Sequence, residues 1–100
     1  MSTALKVAGH YCVAIVFADL GDWGGIELRS EYDPAGPTIR INARLAESVP
    51  AEELDEFVSL CVGHELYHHL EHIGEIERVA DKAQREKAAD AFAITLLEQK

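Results

Sequence analysis

Apolar positions along this chain change period from two to three and a half near its middle, and that change sets the expected architecture. Residues 3 to 10 allow a short helix with Ala4, Leu5 and Ala8 inward, interrupted at Gly9. The β-branched, apolar run Val13 to Phe17 reads as a buried strand, and GDWGG at 21 to 25 as a turn. Ile26 to Tyr32 then alternates, with Ile26, Leu28 and Ser30 on one face and Glu27, Arg29 and Glu31 on the other. A second turn, DPAGP at 33 to 37, leads into Thr38 to Asn42, with Ile39 and Ile41 inward and Thr38, Arg40 and Asn42 outward. Short turns between three strands predict an antiparallel meander with Thr38 to Asn42 at an edge.

Helical spacing takes over near Pro50, which suits a first helical turn, with Ser48 available as a cap and Glu52 and Glu53 placed to complement the helix dipole. Leu54, Phe57, Val58, Cys61 and Glu65 form one stripe, Leu66 lies beside it, and Gly74 ends the helix. Gly63 costs about 1 kcal/mol of helix propensity relative to Ala, which is explained by close approach of another element to the backbone there or by a tolerated surface glycine. A second helix runs from about Ala80 to Glu98, with Ala89, Phe92, Ala93, Leu96 and Leu97 inward. The expected fold is α+β, a three-stranded sheet packed on two helices.

One hundred residues make one domain, residues 1–100, with one modest core. Eighteen acidic against nine basic side chains give a net charge of −9, which disfavours direct contact with nucleic acid. The basic residues are dispersed, and those at 78 to 87 alternate with acids in the manner of a solvated helix face. The longest apolar run, Tyr11 to Ala18, is too short to cross a bilayer, so the expectation is a soluble, cytoplasmic protein without membrane contact. Cys12 and Cys61 form no paired motif and read as two buried thiols in a reducing compartment.

The chemistry concentrates at HELYH, His64 to His68. Two imidazoles at i and i+4 share a helix face and can reach one ion, and Glu65, about 100° further round, sits beside that ion as a candidate base. The pentapeptide is short, so what lies downstream carries weight. The apolar stripe of the second helix, extended one turn back, lands on Glu86, a carboxylate that needs a partner there. Two His and one Glu make a catalytic zinc shell, with one zinc per chain. Asp90, one turn beyond Glu86, is placed to accept from the outer N–H of a ligand imidazole.

HExxH followed by ExxxD resembles the gluzincin, or thermolysin-like, pattern; Glu71 and Gly74 stand where the metzincin pattern needs Gly and His. More closely, TIRIN at 38 to 42, HELYHHLEH at 64 to 72 and EKAADAFAITLL at 86 to 97 resemble the ImmA/IrrE family of small metallopeptidases, across roughly the last two thirds of the chain. The resemblance implies a small zincin-like fold of near-minimal length, zinc, and limited proteolysis of a specific protein such as a helix-turn-helix repressor. Ala88 departs from the pattern, standing where relatives often carry a second acid.

His72 and Tyr67 are candidate substrate contacts, His72 being read also as exposed and Tyr67 also as packing; His69 and His10 read as solvated, and Trp23 as a lid over the core or a substrate contact. Two functions compete. One is a zinc metallopeptidase with His64, His68 and Glu86 on the metal and Glu65 as general base. The other is a non-catalytic or latent zinc-binding module acting by protein contact.

Overall fold

A computed structural model describes residues 3–21 and 28–99. Its elements in chain order are α1 (Thr3–His10), β1 (Ala14–Ala18), β2 (Ser30–Asp33), β3 (Thr38–Asn42), α2 (Ala43–Ser48), α3 (Ala51–His72) and α4 (Lys82–Glu98). The radius of gyration, 13.1 Å, is that of a compact domain of this length. The α+β class is as expected. No helix among the described residues is long and apolar enough to cross a membrane. The 21–25 turn and the Ile26 strand start fall largely outside the described residues, and so does Trp23.

The sheet is mixed rather than a meander, with strand order β1-β3-β2. β3 pairs in parallel with β1 and antiparallel with β2, so it is the central strand and not an edge. Adjacent strands of similar alternation do not declare their spatial order, so which strand lies between the other two is invisible to periodicity. The DPAG turn behaves as expected, with Gly36 at φ 113° and the Asp33 carboxylate accepting from the Ala35 amide.

Ile39 and Ile41, fully buried on β3, pack with Val62 and Leu66 of α3. Burial of each such side chain stabilises by about 1.5–3 kcal/mol relative to exposure. β1 is less buried than its composition suggests: as an outer strand it leaves Val16 and Phe17 exposed. Cys12, with a positive φ of 58°, is exposed, while Cys61 is buried as expected.

Asn42 reverses its expected outward placement and is fully buried. The strand ends there and α2, which alternation did not foretell, begins. The Asn42 side chain accepts from the Arg44 amide as the helix cap and donates to the Leu28 carbonyl at 2.8 Å. It thereby ties the start of α2 to the segment entering β2. Ser48 belongs to α2, donating to the Leu45 carbonyl, and Pro50 itself is the α3 cap position.

α3 stops where Gly74 takes φ 82°: the Glu75 amide donates to Leu70 and the Gly74 amide to Glu71, closing the exposed carbonyls. α4 starts on Asp81, whose carboxylate accepts from Ala83 and Gln84. It lays Ala89, Ala93 and Leu96 against α3 at the level of Gly63.

Candidate metal centre

The site begins with a match of two spacings. Ser30 and Tyr32 share one face of β2, about 6.7 Å apart, and Glu65 and His69 share one face of α3, about 6 Å apart. The Ser30 hydroxyl donates to Glu65 Oε2 at 2.7 Å, and Tyr32 Oη meets His69 Nδ1 at 2.7 Å. His69 is therefore buried rather than solvated. Burial, and secondarily the charge of His72, holds its pKa below the ordinary value, while burial and the Asp33 carboxylate raise that of Tyr32. β2 is thus clamped to the helix beside the HExxH turn.

One helical step from these contacts, His64 and His68 turn toward α4. His64 Nδ1 lies 2.7 Å from Asp90 Oδ1, and His68 Nδ1 lies 2.9 Å from Glu71 Oε1. A carboxylate accepts, so each Nδ1 donates its N–H, and in a neutral imidazole this leaves the Nε2 lone pair free. Those two Nε2 atoms are 3.3 Å apart, and Glu86 Oε2 lies 2.9 Å from His68 Nε2 and 3.5 Å from His64 Nε2. That oxygen is buried and, apart from these two ring nitrogens, has no polar partner among the described residues. Three acceptors facing one point require a cation or a shared proton between them. Donor atoms on a tetrahedral ion with arms of about 2.0 Å stand about 3.3 Å apart, so the spacing suits such an ion.

His64, Glu65 and His68 together form a group that could hold a metal ion, their ligand atoms lying within 4.8 Å of one another. Two carboxylates thus compete for the third position. Glu65 has its Oε2 engaged by Ser30, whereas Glu86 Oε2 is otherwise unpartnered. Burial pushes the Glu65 pKa up; the Ser30 hydrogen bond and the two imidazoles pull it down, and Glu86 pushes it up.

Glu71 went unread in the sequence as a partner of His68, although its i+3 spacing is a helical neighbour relation that could have found it. Its side chain is only 6% exposed, against 56% for Asp90. Ser30 and Tyr32 had no such local signal. His72 is exposed at the cavity wall near Tyr32, while Tyr67 is buried against Phe92 and lies outside the cavity lining. His10 is exposed beside Tyr11.

The group opens on a cavity of about 560 Å³ whose walls include Ser30 and Tyr32 of β2, His72 of α3, and the first turns of α4. This volume is in the range of small-ligand and peptide side-chain sites. The fold and this group define an α+β domain with an HExxH helix open to a cleft. No family model, curated protein or solved structure matches the chain.

Proposed function

We propose that the protein is a zinc-dependent metallopeptidase in which His64, His68 and Glu86 hold the metal and Glu65 is the general base. The observation that carries this reading is the convergence of two Nε2 atoms and the Glu86 oxygen beside a second, separately held carboxylate. A binding module would need only the first three; Glu65, buried and aimed by a serine, is the group that a hydrolytic reaction needs in addition. The motifs of the zinc helix and of α4 support an ImmA/IrrE-like, gluzincin arrangement.

Zinc, when bound, supplies Lewis acidity that lowers the pKa of water and polarises a carbonyl oxygen. Glu65 takes the proton of the attacking water at its carboxylate and returns it to the leaving amine. Ser30 keeps one Glu65 oxygen occupied, so the base stays in one orientation. Asp90 and Glu71 hold the imidazoles in the Nδ1–H tautomer, leaving Nε2 free to ligate. An extended substrate pairs along the outer edge of β2, which lines the cavity and has no strand beyond it among the described residues; this role passes to β2 from β3, which is paired on both sides. Flexible segments are cut and folded ones spared, which fits limited proteolysis of a specific cytoplasmic protein such as a transcriptional repressor.

The test is incubation of zinc-loaded wild type and Glu65→Gln with transcriptional regulators encoded nearby, read by intact mass. Cleavage by wild type alone supports the reading. Binding by both without cleavage replaces it with the non-catalytic module, and less than about half a zinc per chain on elemental analysis removes the metal.

A further inference from the structure

We infer that the cavity selects peptides by a carboxylate, recognised by Arg85 with Lys82 and Arg78; the inference rests on the peptidase reading and names its substrate class. Although the chain carries only nine Lys and Arg against eighteen acids, four of the nine line this one cavity: Arg29, Arg78, Lys82 and Arg85. The stretch 78 to 87, which alternates like a solvated face, is folded so that three of its cations turn to the cleft.

None of the four acids lining the same cavity makes an ion pair with these cations among the described residues, although Glu71 Oε2 is itself buried without a partner. Glu31 pairs with Arg40 at 3.2 Å, Glu65 accepts from Ser30, Glu71 accepts from His68, and Glu86 faces the two imidazoles. The four cations have no ion-pair partner among the described residues, in contrast to Arg40, which holds both Glu31 and Asp33. Arg85 Nε is in addition buried without an acceptor among the described residues, which costs free energy. Arg85 immediately precedes Glu86, and Lys82 lies one turn before it on the same side of α4, so the cations border the reacting centre. Lys82 is also the first residue of α4, where the helix dipole adds positive potential.

An anion with planar, paired acceptors fits a guanidinium flanked by an ammonium, and on a peptide that group is a carboxylate. It comes from an Asp or Glu side chain near the scissile bond or from the substrate's own C-terminus. A hydrogen-bonded charge of this kind discriminates against the neutral isostere by about tenfold or more.

The test uses the zinc-loaded full chain carrying Glu65→Gln and fluorescent decapeptide pools with one position fixed as Asp, Asn or Lys, each with a free or an amidated C-terminus, read by anisotropy. Expected is about tenfold tighter binding of Asp than Asn pools at one position, or of free than amidated pools, which tells the two carboxylate sources apart. Arg85→Glu should reverse the order so that Lys pools bind best. Lys82→Glu, at an exposed position, supplies the same comparison if Arg85→Glu does not fold. Equal binding of all pools, or an unchanged order in the variants, overturns the inference. In parallel, wild type is given the same pools and cut sites are read by mass spectrometry. Glu65-dependent cutting with no preference for acids overturns the inference and keeps the peptidase; capture of acidic pools without any cutting does the opposite.

Discussion

A Cβ placed on Gly63 would stand 2.7 Å from the Cα of Ala93 and 2.9 Å from its Cβ, so the two metal-site helices touch backbone to backbone at these residues. His64 follows Gly63 directly, and Glu86 lies two turns before Ala93. The contact therefore sets the separation across which imidazoles and carboxylate converge. Gly63→Ala gains about 1 kcal/mol of helix propensity, but the obstructing atom is backbone, and overpacking of this kind costs about 1–3 kcal/mol. The expected outcome is a lower Tm together with weaker zinc binding, read by thermal unfolding and by competition with a chelator. A more stable variant of unchanged affinity would show that the helices separate without moving the ligands.

Zinc binding and folding are linked through the same two helices. At free zinc about a hundredfold above Kd, the native state gains about 2.7 kcal/mol. For a domain of this size that raises Tm on the order of 10 °C, and excess chelator should reverse it. Magnesium at the same concentration should leave Tm unchanged, because imidazole nitrogen suits zinc and not a hard oxygen-seeking cation. Equal stabilisation by both ions would point to a carboxylate site.

Glu71→Ala and Asp90→Ala should each weaken zinc by about 10- to 100-fold without removing a ligand. Glu71 should have the larger effect, since its side chain is nearly excluded from water and that of Asp90 is more than half exposed. Glu71→Gln, which keeps an oxygen for the His68 N–H, should recover part of the loss. Zinc titrations of the three variants decide the order, and an Asp90 effect exceeding that of Glu71 would contradict it.

Ser30→Ala removes a hydrogen bond that pulls the Glu65 pKa down, leaving burial to push it further up. A general base works deprotonated, so activity is lost as pH falls through its pKa. The acid limb of kcat/KM should consequently move to higher pH in the variant. Bound metal pulls the carboxylate down in both proteins, so the difference between the two profiles is the quantity to measure. A shift to lower pH, or none, would mean that Ser30 does not hold the reacting carboxylate.

Local rules were enough for much of this chain. Spacing of His64, Glu65 and His68 on one helix, the apolar stripe leading back to Glu86 and the placement of Asp90 all follow from helical geometry, which repeats wherever a helix forms, whereas the close approach at Gly63, one of two readings in sequence, was decided by packing. The turns at Gly36 and Gly74 were equally legible, because they answer to backbone sterics within a few residues. Tertiary structure decided the rest. Strand order placed β3 in the centre and made β2 the outer strand beside the cleft, since pairing depends on the path of the chain and not on alternation. The same register brought Ser30 to Glu65 and Tyr32 to His69, burying a histidine that looks solvated in sequence. Cations that read as a wet helix face gathered at one cavity for the same reason: a side chain's partners in sequence are its neighbours for only three or four residues, and beyond that distance packing alone selects them.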